Sequence, residues 1–68
     1  MNYNYAKLKG RIVEKFGTQG KFAAALGVVP LTVSRKLNGD VAFSRDDILI
    51  WSSLLEIEKS DIPAYFFE

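Results

Sequence analysis

The sequence predicts a compact all-α domain of four to five helices. Apolar residues recur at helical spacing from Leu8 to Phe16 and again from Ile48 to Leu55. The stretch Thr18 to Gly39, TQGKFAAALGVVPLTVSRKLNG, reads as two short helices around a tight turn. Every connection between these segments is short, as a compact helical domain requires.

The first helix is expected over Tyr3 to Phe16, with Asn4 as N-cap. Leu8, Ile12 and Phe16 follow at i, i+4 and i+8, and Tyr5 and Val13 are expected to widen that stripe. Lys7, Arg11 and Lys15 form a basic stripe beside it. Gly10 costs up to about 1 kcal/mol inside a helix and is expected to permit close packing. Gly17 ends the segment. Thr18 is the expected N-cap of the second helix, Gln19 to Leu26, with Phe22, Ala23 and Leu26 facing inward and Gly27 closing it. Val28 is expected to be a buried turn residue and Val29 the next N-cap. Pro30 suits the first position of the third helix, because its missing N–H is no loss there and its φ is preset. That helix runs to Leu37 and stops at Asn38-Gly39.

Asp40 to Phe43 is a short connection with Phe43 turned inward. Ser44 followed by Asp47 resembles a capping box, with Asp where Glu or Gln is usual. The fourth helix then runs to Leu55, with Ile48, Trp51, Leu54 and Leu55 on one face. Ser60 is expected to cap a last helical turn holding Ile62, Pro63, Tyr65 and Phe66.

Sixty-eight residues make a single domain. A chain of this size buries only about 60% of the surface its unfolded form exposes, so the core is small. A hydrophobic fraction of 49%, with five Phe, three Tyr and one Trp, favours a folded chain over a disordered one. Cys and His are absent, which excludes disulfides, thiolate chemistry and the usual zinc ligand sets. No metal, cofactor or membrane is expected, because no apolar run approaches the ~18 residues of a bilayer span. The opening residues lack the apolar stretch of a signal peptide, so the expected place is the cytoplasm.

The formal net charge of +1 conceals a polarity. Residues 1–45 carry Lys7, Lys9, Arg11, Lys15, Lys21, Arg35, Lys36 and Arg45 against only Glu14 and Asp40. Residues 46–68 carry Lys59 against six acids. A basic part can attract a polyanion while an acidic part faces away. Enzymatic chemistry is not expected. There is no His or Cys and no phosphate-cradling glycine loop. Asp46 and Asp47 are adjacent, so they do not converge on one point, and they suit a helix N-terminus.

A helix-turn-helix needs a small residue where its helices cross, a turn that accepts positive φ, and apolar anchors on either side. Ala23, Gly27, and Phe22, Leu26, Val28 and Val33 meet these needs. The pattern Gln19, Ala23, Gly27, Val28, Val33, Ser34, Asn38, Gly39 resembles the helix-turn-helix of the phage repressor and Cro proteins, the lambda-repressor-like domain. The whole chain, including its ending DIPAYFF, resembles the small Cro-like or repressor-like proteins of phages and prophages in Gram-positive bacteria. It departs at Lys36, where that pattern is apolar, so Leu37 is the expected inner anchor and the Lys36 stem lies along the surface.

The resemblance implies a sequence-specific DNA-binding transcription regulator that occupies the major groove of a double-stranded operator. Pro30, Leu31, Thr32 and Arg35 would then read bases, Arg35 by two bonds to guanine. Gln19, Lys21, Lys36, Asn38, Ser44 and Arg45 would hold phosphates. Lys7 and Arg11 would lie near the duplex backbone or in water. A weak homodimer, stronger on DNA, is expected through Ala64 to Phe67 with Trp51 or Leu55; the alternative is that these aromatics close the core. A protein-docking module or antitoxin-like partner, using Leu31 and the aromatic tail as its interface, is the rival function.

Overall fold

A computed structural model of the chain describes residues 5–67. The described residues form α1 (Ala6–Phe16), α2 (Gln19–Leu26), α3 (Pro30–Leu37), α4 (Arg45–Leu55) and α5 (Ile62–Phe66), with a 3-10 turn at Lys59–Asp61 ahead of α5. There is no strand among them. The all-helical fold is the one the apolar spacing predicts.

Local chemistry explains most of the boundaries. Thr18 Oγ1 accepts from the Lys21 backbone N–H at 3.1 Å and caps α2. Gly27, at φ 79°, closes it in the left-handed region. The Gly27 N–H donates to Ala24 O and the Val28 N–H to Ala23 O, the paired bonds of a Schellman motif. Val29 is extended, as the residue before a proline is pushed to be, and Pro30 opens α3. Ser44 and Asp47 cap α4 reciprocally. Ser44 Oγ accepts from the Asp47 N–H at 3.0 Å, and Asp47 Oδ2 accepts from the Ser44 N–H at 2.9 Å. The shorter Asp side chain therefore serves in the place of Glu.

Leu8 and Ile12 of α1, Phe22 and Ala23 of α2, Val33 and Leu37 of α3, and Trp51 and Leu55 of α4 form the core, joined by Tyr5, Ile57 and Phe66. Phe43 is its aromatic hub. Its ring meets Tyr5, Trp51 and Phe66 edge-on at centroid distances of 5.3, 4.8 and 5.2 Å. Leu37 is the inner anchor of α3, as the Lys36 departure led us to expect.

Several expectations are corrected. Tyr5 lies before α1, not within it, in the left-handed region at φ 51°; the Asn4 cap falls outside the described residues. Val13 is 56% exposed, because α1 buries only the narrow Leu8–Ile12 row and Val13 points away from it. Gly10 permits no close packing: a Cβ placed there would meet nothing within 4 Å. Val28 is exposed, since its N–H is tied to Ala23 O while its side chain lies outside the core. Ser60 sits inside the 3-10 turn and caps nothing. The three consecutive aromatics divide: Phe66 is buried, Tyr65 half-buried and Phe67 exposed.

A candidate interface on α2, α3 and α4

α3 is held by Val33 and Leu37 on one side, which leaves its other side open. Pro30, Leu31 and Arg35 are exposed there and Thr32 is half-buried. Arg35 has no ion pair among the described residues; nor do Lys21 and Arg45, both exposed. Gln19 is half-buried at the start of α2. Asn38 is exposed beyond the end of α3, its amide 3.5 Å from Ser34 Oγ.

Two more of the residues expected at phosphates, Ser44 and Lys36, are bonded to Asp47. Ser44 Oγ accepts the Asp47 N–H. Lys36 is half-buried and its Nζ donates to Asp47 Oδ2, with the ammonium 6.0 Å from the centre of the Phe43 ring. Partial burial pushes the Asp47 carboxyl up, but the bonds from Lys36 and Ser44 outweigh it. The net shift is below the ordinary carboxylate value. Lys36 is thus a neutralised cation that ties α3 to α4.

The α1 cations lie elsewhere. Arg11 donates from Nε to Leu55 O at 2.9 Å and from Nη2 to Glu56 O at 3.2 Å, and it pairs with Glu14 at 2.8 Å. The bond it donates to Glu14 raises its pKa further. Arg11 closes the C-terminus of α4, where carbonyls lack partners and a cation suits the helix dipole. Arg11, expected near the duplex backbone or in water, is engaged by bonds within the fold. Lys15 lies 3.4 Å from Glu56 at the same end, and Lys7 sits 4.9 Å over the Tyr65 ring. Asp47 and Leu55 are eight residues apart on α4, so the Arg11 end lies roughly 12 Å from the Lys36–Asp47 pair.

Between α3 and α4 runs a cleft of about 120 Å³, lined by Leu26, Val28, Thr32, Lys36, Asp47, Ile50 and Trp51. Of its lining residues Val28 and Ile50 stand 40% and 52% exposed; Val29, Leu31 and Leu49 are further exposed apolar residues. The sequence reading did not single out Leu49 and Ile50. The available signal was their position off the Ile48–Trp51–Leu55 row, where apolar residues have no core to enter. Among the described residues no three His, Cys, Asp or Glu side chains could hold a metal ion, and no helix is long and apolar enough to cross a membrane.

A family model described as a protein of unknown function, DUF739, matches residues 1–68. The chain belongs to the DUF739 family. No curated protein matches it. The DUF739 chain is similar to the solution structure of the modulator of repression (MOR) of the temperate bacteriophage TP901-1 from Lactococcus lactis. The two are 48% identical, the match covers 100% of this chain and 92% of that one, and the TM-score is 0.88. The likeness is to a phage regulatory protein described as a modulator, where the sequence resemblance pointed to repressor and Cro proteins.

Proposed function

We propose that this protein is a transcription regulator of a phage repression system, and that it works by docking onto another regulatory protein through its α3–α4 face. The observation that carries the reading is the α3–α4 cleft itself, whose largely apolar lining includes the exposed side chains of Val28 and Ile50. Scattered exposed apolar residues are ordinary, but exposed ones that line a cleft mark a contact surface. The similar phage protein is described as a modulator of repression, which suits a protein that acts on a repressor.

The charges support the same choice. On α3, the loop after it and the first turn of α4, Arg35, Lys36 and Arg45 stand against Asp40, Asp46 and Asp47. Half of the basic excess of residues 1–45 resides on α1, where Arg11 and Lys15 serve the far end of α4. A protein that lives on phosphate neutralisation needs an uncompensated cationic surface, and this face is close to balanced.

Direct operator binding is the second reading, and Arg35 favours it. Its guanidinium is exposed and unpaired on the open side of α3, beside Leu31 and Thr32. In that reading Pro30, Leu31, Thr32 and Arg35 read bases. Gln19, Lys21, Lys36, Asn38, Ser44 and Arg45 hold phosphates, and a weak dimer through Ala64 to Phe67 tightens on DNA.

Titration of the purified protein with the repressor of its own phage system, and separately with a pool of random DNA duplexes, distinguishes the two. Docking predicts a repressor complex that persists in concentrated salt and no enriched DNA site. An enriched site whose affinity falls steeply with salt, and no repressor complex, would reverse the order of the readings.

A further inference from the structure

We infer that the α3–α4 cleft seats one apolar side chain from a helix of the partner protein, and that Arg35 and Asp46 on its two rims meet an acid and a base on that helix. The inference rests on the docking reading above and gives it a place and a chemistry. The floor and walls are Trp51, Leu26, Val28 and Ile50, and the volume of about 120 Å³ suits one Leu, Ile or Phe side chain. The polar atoms at one end already satisfy each other, because Lys36 donates to Asp47 and Asp47 also accepts from Ser44. An apolar group entering the cleft therefore strips no unpaired charge of its water.

The rims follow from helical spacing. On α3, Thr32 and Lys36 line the cleft, and Arg35 lies one step further toward solvent. On α4, Asp47 and Ile50 line it, and Asp46 lies one turn before Ile50 on the outer side. Both rim residues are exposed and neither has an ion pair among the described residues. Rims of opposite sign complement a surface that carries both signs, as a protein helix does. The only charges a nucleic acid offers are phosphates, which it would set against Asp46. An apolar anchor between flanking charges is how an amphipathic helix enters a groove.

The test is calorimetric titration of the full-length repressor of the same phage system with the wild type and with Ile50→Asp, Val28→Asp, Arg35→Glu and Asp46→Lys. All four side chains are exposed, and a helical circular dichroism spectrum checks each variant's fold. Ile50→Asp and Val28→Asp are expected to weaken binding by about tenfold or more, and each charge reversal by a few-fold. In the wild-type complex the Trp51 indole and Ile50 methyl resonances should shift. A complex of unchanged affinity in Ile50→Asp and Val28→Asp, with those resonances unmoved, overturns the cleft assignment and leaves the docking reading standing. No complex with any form overturns both. Loss of self-association in Ile50→Asp, with repressor affinity intact, would make a second copy of this chain the occupant and also overturn the assignment.

Discussion

Lys36 on α3 donates to the same Asp47 oxygen that accepts the Ser44 backbone N–H at the start of α4. One carboxylate oxygen thus closes a helix and fixes the distance between the two walls of the cleft. Asp47→Ala should cost about 1–2 kcal/mol at neutral pH, as loss of a cap with an ionic partner does. The pH dependence has a definite sign. The folded carboxyl titrates below its ordinary value of 3.8, so its contribution is present above that pH and is lost as the pH falls through the lower folded value. Urea unfolding at pH 7 and pH 3 should show the wild type and Asp47→Ala converging in acid. A constant gap between them would place the carboxylate's contribution outside ionisation.

Gly10 occupies a helix interior with open space where a Cβ would go. Gly10→Ala should therefore stabilise the protein by about 0.5–1 kcal/mol, by restricting the unfolded chain and favouring the helix. The midpoint of thermal unfolding reads this directly. A fall in the midpoint would mean that α1 needs the glycine for a reason its surroundings do not reveal.

Glu56 closes α4 in the left-handed region at φ 55°, where Gly is the unstrained choice. The closing bonds run from the Glu56 N–H to Ser53 O at 3.3 Å and from the Ile57 N–H to Ser52 O at 2.9 Å. Glu56→Gly keeps them and relieves the side-chain clash. It loses only an exposed pair with Lys15, worth little. A gain of about 0.5–1 kcal/mol in chemical denaturation is expected.

Arg11 should prove a structural residue. Its bonds to the Leu55 and Glu56 carbonyls hold α1 to the end of α4. Arg11→Met should lower the urea midpoint and leave the salt dependence of any DNA binding untouched. A loss of DNA affinity with no loss of stability would return Arg11 to the duplex.

The capping residues made much of this fold legible. Thr18, Gly27, Pro30, Ser44 and Asp47 act on backbone atoms within a few residues of themselves, so their effect is written locally. The width of each buried face was not. Val13 and Val28 carry the right chemistry for a core, but their exposure depends on which helices lie opposite, and that is set by distant residues. The same limit hid the cleft. Ile50 reads as one more apolar residue of α4 until Val28 and Thr32 are placed across from it. Charge was the least legible quantity. Arg11, Lys15 and Lys36 counted toward a basic half in the sequence, yet in the fold each faces a carbonyl or a carboxylate.

The central claim is that the α3–α4 face meets a protein. Methyl NMR spectra of the labelled protein, recorded with one equivalent of the repressor in concentrated salt and with one equivalent of DNA duplex in dilute salt, test it most directly. The account predicts that the Val28 and Ile50 methyls shift with the repressor and stay in place with DNA. Shifts of those methyls with DNA alone would contradict it.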